Sequence, residues 1–338
     1  PTPWEDLTVN TSKHFPTKGY ILSVTDDSNN RQEPGNKGFE NGMSVFFTLS
    51  DGTFLIFDGG QGNNTVSADA DHLYRRLREK ADENGIEDIV VSAWVFTHSH
   101  GDHTCFIRRF LPDYSDRVTV REFWFNPVGN CDWILNRLAE FYPDTPVVAL
   151  KAGEERELAD VKVEVMLTPE AIEEFEPNAF TLDYNNSSLI LRLHIDGKTV
   201  LMTGDASEQA MAYLNAKFPA EDLKCDILQV PHHGFFKSHN KINESWRRDE
   251  LYSDDHTIAA YAKIAPSMAL FPCGELHFRS TSEPNTGYPR NGGFHRFKSN
   301  STISLLNQRS LETVIVAGWY DIARPETAVC RCFLSAED

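Results

Sequence analysis

The stretch His98-Ser99-His100-Gly101-Asp102-His103, directly after the apolar run Ile89-Val90-Val91-Ser92-Ala93-Trp94-Val95-Phe96, decides the reading of this chain. The run is β-branched and continuous, which predicts a strand buried on both faces. The histidines then sit in the turn leaving a central strand, where open α/β sheets place ligands and chemistry. In extended chain, side chains two apart point the same way, so His98 and His100 can grip one cation. Gly101 lets the chain turn tightly, and Asp102 and His103 come round to hold a second. Imidazole and carboxylate suit zinc, with manganese and iron also accepting them. A helix start with surface histidines would need the Asp as a cap, but not three His.

Further motifs follow, each beside a predicted strand. Phe54-Leu55-Ile56-Phe57-Asp58-Gly59-Gly60 ends a strand on an acid. Thr203-Gly204-Asp205 follows the strand Lys198 to Met202. Asp226-Ile227-Leu228-Gln229-Val230-Pro231-His232-His233-Gly234 ends a third, and Asn185-Asn186-Ser187-Ser188-Leu189 opens a fourth. Together with the His98–His103 run, this order resembles the metallo-β-lactamase superfamily over roughly residues 43–235. The Asn-x-x-Ser-Leu stretch and Pro-His-His-Gly run narrow the likeness. They are similar to the soluble domain of competence-type DNA-uptake proteins and to bacterial choline-phosphate esterases. The resemblance implies an α/β fold, a four-layer αββα sandwich. It implies Asp58 as a group orienting the metal ligands, Asp205 as a bridge between two metals, and His233 as the last ligand.

This chain departs from many superfamily members by lacking a further His between His103 and Asp205, where its one histidine, His194, lies inside a strand beside the hairpin Asp196-Gly197. His194 therefore reads as structural or as a surface residue. The first metal keeps His98, His100 and Asp205, completed by water or by Asn185 or Asn186, although Asn before a strand also suits a plain turn. The second has Asp102, His103, His233 and Asp205, and is expected to bind more tightly. The cofactors expected are two divalent ions, zinc first, with manganese or iron as alternatives. Two cations about 3.5–4 Å apart share a hydroxide that attacks carbon or phosphorus. Asp102, His232, Asp58 and Asn185 are the candidate catalytic groups, with His232 stabilising developing negative oxygens. Three functions compete. They are a hydrolase of phosphodiesters or related phosphate esters, a hydrolase of carboxylic esters, lactones or amides on the same metals, and a non-catalytic binding or assembly module. The first is favoured by the narrower likeness, and the intact ligand set argues against the third.

Composition bounds the rest. The 338 residues carry 32 Lys and Arg against 50 Asp and Glu, a net charge of −18. Basic residues are scattered, with pairs at Arg75-Arg76, Arg108-Arg109 and Arg247-Arg248. A field this negative argues against a nucleic-acid partner and for a small-molecule substrate. Mean hydropathy is −0.41, and no run of about 18 apolar residues suggests a membrane span. The chain opens Pro1-Thr2-Pro3-Trp4 with no visible signal peptide, so the compartment stays open, as does the oligomeric state. Six scattered cysteines without a C-x-x-C pair read mostly as buried thiols.

One domain over residues 1–338 is expected, its core about 18–320. Strands are expected at Lys18–Val24, Met43–Leu49, Thr53–Phe57, Val118–Phe125, Val147–Leu150 and Val161–Leu167, with helices at Ala70–Asn84 and near Trp133–Phe141. Three irregular stretches, 27–42, 169–183 and 274–293, read as loop insertions. Phe175, Phe180 and Tyr184 are candidates to line a substrate slot, and His277 and His295 flank the third stretch without an assigned role.

Overall fold

Strand runs that are apolar on both faces need a layer on each side, and this chain supplies them. The computed structural model describes residues 14–25, 42–61, 68–182, 184–234, 255–273, 311–320 and 324–335. The first half builds β1 (Lys18–Leu22), β2 (Val24–Thr25), β3 (Ser44–Thr48), β4 (Phe54–Asp58), α1 (Ala68–Glu83), β5 (Ile89–Val95), α2 (Gly101–Thr104), α3 (Ile107–Tyr114), β6 (Val118–Val120), β7 (Phe123–Trp124), α4 (Asp132–Phe141) and β8 (Val147–Val148). The second builds β9 (Glu155–Leu158), β10 (Val161–Leu167), α5 (Pro169–Phe175), α6 (Ala179–Leu182), β11 (Ile190–Ile195), β12 (Lys198–Met202), α7 (Glu208–Lys217), α8 (Ala220–Leu223), β13 (Ile227–Gln229), α9 (Asp255–Ile264), β14 (Met268–Phe271), β15 (Thr313–Val316), β16 (Trp319–Tyr320) and β17 (Cys330–Leu334).

One sheet runs β17-β1-β3-β4-β5-β7-β8, with β6 also on β5. The other runs β15-β14-β13-β12-β11-β10-β9, and β2 pairs β16 in a short ribbon. The inner faces meet in one apolar layer, where Val45, Phe57 and Val95 of the first sheet share a cluster with Val163, Leu191 and Met202 of the second. Burying a side chain of this size contributes about 1.5–3 kcal/mol. On the outer face of the first sheet, Leu73, Leu77, Phe110 and Leu138 of α1, α3 and α4 cover Trp94 and Phe123. On that of the second, Ile172, Met211 and Tyr261 of α5, α7 and α9 cover Leu201 and Leu228. The order of layers is therefore helix, sheet, sheet, helix, as the resemblance implied.

Register places the chemistry. β4 and β5 are parallel with Phe57 opposite Val95, so Asp58 and the residues after β5 leave the sheet together. β12 and β13 are parallel with Leu201 opposite Leu228, so Asp205 and the Pro231–Gly234 turn do the same. Leu189, just before β11, donates its N–H to the carbonyl of Thr97 at 2.8 Å and ties the sheets at that edge.

Two expectations are corrected. Val118–Phe125 is not one strand: Arg121 and Glu122 interrupt it, although the pairing offset with β5 is the same on both sides. Residues 169–183 are not an irregular loop, since α5 and α6 lie there. Pro169 occupies the first turn of α5, and the Thr168 hydroxyl accepts from the Ala171 N–H at 3.4 Å, a capping signal the composition obscured. Apart from Gly42, the stretches 27–42 and 274–293 lie outside the described residues, as do His277, His295 and Arg247-Arg248. All six cysteines are free, with Cys131, Cys225 and Cys273 buried and Cys332 exposed. No helix among the described residues is long and apolar enough to cross a membrane.

Candidate metal centre

The loops leaving β4, β5, β12 and β13 converge on one edge of the sandwich. Asp58 ends β4 in the left-handed region, at φ 53°. Its Oδ1 accepts the Thr97 N–H and its Oδ2 the Thr97 hydroxyl, both at 2.8 Å, and Oδ2 lies 2.7 Å from His103 Nδ1. Burial pushes the Asp58 carboxyl above its ordinary value, opposed by His103 and Thr97. Gly204, also left-handed, brings its backbone against Thr97; a Cβ there would lie 2.8 Å from the Thr97 Cβ.

The six residues His98, His100, Asp102, His103, Asp205 and His233 come together in space. Their donor atoms form two groups, each within 4.8 Å: His98, His100 and Asp205, and Asp102, His103, Asp205 and His233. Asp205 belongs to both. Its Oδ1 is 3.1 Å from His103 Nε2, and its Oδ2 is 3.4 Å from His233 Nε2 and 3.9 Å from His98 Nε2. Asp102 Oδ2 lies 3.1 Å from His233 Nε2.

These side chains fit divalent cations. His98 Nε2, His103 Nε2 and Asp205 Oδ1 are buried without a hydrogen bond among the described residues. Buried polar atoms are otherwise costly and almost always paired, so three that converge call for a cation between them. The opposite ring atoms are fixed. His233 Nδ1 donates to the Pro272 carbonyl at 2.7 Å, and His98 Nδ1 lies 3.2 Å from the Thr97 hydroxyl. Such contacts turn Nε2 toward the centre. The Asp205 N–H donates to Ser188 Oγ at 3.1 Å.

Burial disfavours charge on His98, Asp102, His103, Asp205 and His233, and neighbours decide the outcome. Burial and His103 hold His98 well below the imidazole range. Against burial, Asp205, Asp58 and Asp102 lift His103 well above it, and Asp205 and Asp102 lift His233 to about 10. Despite burial, His103 and His233 hold Asp205 and Asp102 well below the carboxylate range.

His232 does not join either group. His232 and His233 are successive left-handed residues, which turns His233 inward and leaves His232 at the rim, 20% exposed and 4.0 Å from Asp205. Asn185 is buried beside it, its Nδ2 3.4 Å from His232 Nε2. Asn186 is corrected as a candidate ligand. Its Oδ1 accepts from Ser207 Oγ and the Ala210 N–H, and its Nδ2 donates to Gln209 Oε1 and the Ala179 carbonyl. His194 stands on β11 away from the centre, 3.1 Å from Glu164. Of the three aromatic candidates, Phe175 packs edge-on to Tyr213 and Phe180 against the outer helical layer, while Tyr184 reaches His100. Thr97, Ser188 and the Pro272 carbonyl were not picked out from the sequence. A hydroxyl between the strand and the first His was the available hint for Thr97.

A sequence model described as the metallo-beta-lactamase superfamily matches residues 38–252. Among solved structures, the chain is similar to the metallo-beta-lactamase fold protein YhfI from Bacillus subtilis at 12% identity and a TM-score of 0.49, covering 94% of this chain and 100% of that one. It is similar to CmlA, a diiron beta-hydroxylase from Streptomyces venezuelae, at 13% identity and a TM-score of 0.48, over 94% of this chain and 54% of that one. A diphosphatase of the PhnP family aligns at 14% identity and a TM-score of 0.42, over 94% of this chain and 98% of its own. No curated protein matches.

Proposed function

The chain belongs to the metallo-β-lactamase superfamily, and on that premise we propose that it is a metal-dependent hydrolase of a small phosphodiester or related phosphate ester. The observation that carries the metal part is the convergence of three buried, unbonded donor atoms in two groups joined by Asp205. His98, His100 and Asp205 would hold one cation; Asp102, His103, His233 and Asp205 would hold the other. Zinc matches this donor set best, and when bound such ions supply Lewis acidity and bring the pKa of a water to about 7.

The chain's own groups do the rest. Asp102 is 24% exposed, the one carboxylate of the cluster open to the substrate side, and is placed to accept a proton from an incoming water. His232 at the rim, 4.0 Å from Asp205, and the buried Asn185 beside it would donate to the oxygens that gain charge at phosphorus. Asp58 keeps Thr97 and His103 aligned from behind. The ester class rests on the Asn185–Leu189 and Pro231–Gly234 likeness to choline-phosphate esterases, and the small size on the net charge of −18.

The test is hydrolysis by zinc- and manganese-loaded protein of bis-nitrophenyl phosphate, a choline-phosphate ester, a lactone and a cephalosporin. Turnover of the diesters is expected, and turnover of the lactone or cephalosporin alone would overturn the ester class. Stepwise titration with a metal indicator is expected to show two phases. His103→Ala should abolish the tighter phase and His98→Ala the weaker, because the first group has three protein donors and the second four.

A further inference from the structure

His100 is the less enclosed imidazole of the three-donor group, and a side chain outside the donor set helps to steady it. Its ring stacks on Tyr184, centroids 5.2 Å apart at 30°, and meets His98 edge-on at 4.6 Å. The Tyr184 hydroxyl is held from two sides. It accepts from Ser99 Oγ at 2.9 Å, within the metal motif itself, and donates to the Val128 carbonyl after β7. Val128 also receives the Cys131 thiol at 2.8 Å. The loop closes on the phenol at Gly129, a left-handed residue whose added Cβ would lie 3.0 Å from the Tyr184 oxygen. Tyr184 itself stands in a short 3-10 turn, Tyr184–Ser187, and Asn186 pins that turn to the start of α7 through Ser207 and Ala210.

We propose that Tyr184 is the positioning residue of the three-donor site, its ring backing His100 and its hydroxyl locking that ring to the loops after β5 and β7. The turn that lacks a further histidine thus contributes to the first cation indirectly, by removing the freedom of a ligand already present. Groups that orient a metal ligand without touching the metal typically change affinity 10–100-fold when removed. This inference rests on the two-group metal reading above.

The experiment is a stepwise titration of metal-free full chain with Zn²⁺ by indicator and with Co²⁺ by its visible spectrum, on wild type, Tyr184→Ala and Tyr184→Phe. Tyr184→Ala is expected to weaken the weaker phase about 10–100-fold and change its Co²⁺ bands, leaving the tighter phase in place. Tyr184→Phe restores the ring without its ties, so its loss should fall between those of wild type and Tyr184→Ala. A Tyr184→Ala protein whose weaker phase is unchanged would overturn the proposal. So would one whose two phases weaken together, since that marks a general loosening. A wild type that takes up one ion alone overturns the two-group reading itself, so the two failures are distinguishable.

Discussion

Asp58 touches neither group of donors from the front, yet three of its contacts decide where two ligands point. An amide at this position keeps the shape but turns an N–H₂ toward either the Thr97 donors or His103. Leaving such a buried contact unmade costs about 1–3 kcal/mol. Asp58→Asn is therefore expected to stay folded in thermal melts while the four-donor phase weakens about 10–100-fold by titration, the size seen for groups that hold a ligand from behind. At this scale the sequence was legible where side-chain chemistry is scarce: three His and an Asp in six residues have few structural uses. It was opaque where the working atom is common. Ser188, Thr97 and a carbonyl at Pro272 look like any other residue until the fold brings them to the centre. Asn185 and Asn186 are neighbours of the same type, and the 3-10 turn alone sends one to His232 and the other to the start of α7.

Strands announced themselves when their burial was complete. β5 matches its run because a strand covered on both faces admits few polar residues, and β10 matches its alternation, with Val161, Val163 and Val165 buried and Lys162 and Glu164 between them half-buried. The failures lay where local hydrogen bonding overrode composition, as at the Thr168 cap that starts α5 in an acidic stretch. Packing between elements is tight near the site. A Cβ on Gly59 would lie 2.4 Å from the Phe106 ring, which stacks on Trp94. Gly59→Ala is expected to cost about 1–3 kcal/mol of stability, the usual cost of overpacking, read as a lower urea midpoint. Helix α1 reaches across to the C-terminal segment, where His72 Nε2 meets the Val329 carbonyl and Arg76 donates to that of Ala328. Burial, reinforced by Arg76, pushes His72 down to about 4. The unfolded chain protonates it near 6.5, so between pH 6.5 and 4 the unfolded state binds the extra proton and stability falls with pH. Above 6.5 the effect is absent, and below 4 it levels off, for a total of about 3 kcal/mol. Urea midpoints of wild type and His72→Gln should diverge across that window; parallel curves would show that His72 does not titrate on unfolding.

The molecule as a whole is an anion. With 50 acidic against 32 basic residues, its field slows the approach of a polyanion more than that of a singly charged diester. Turnover of a small diester should vary little with salt, while long DNA should be a poor substrate at low salt; efficient DNA cleavage there, without small-diester turnover, would defeat the charge argument. The layer order was legible only through the likeness of its motifs, because no internal repeat marks the two sheets as related halves. Legible least of all was which strand closes the first sheet. β1 pairs with β3 on one side and with β17 on the other, Leu22 opposite Cys330 and Gly19 opposite Leu334. A ribosome releases β1 among the first residues described here and β17 among the last. Throughout synthesis, then, Gly19 to Leu22 offer an unfilled row of backbone donors and acceptors, the kind of edge that recruits other chains. Completion of the sheet awaits a closure between the two ends of the described residues, which makes it a slow and late event. Until β17 has emerged, the β1 edge is held open to any strand that reaches it first.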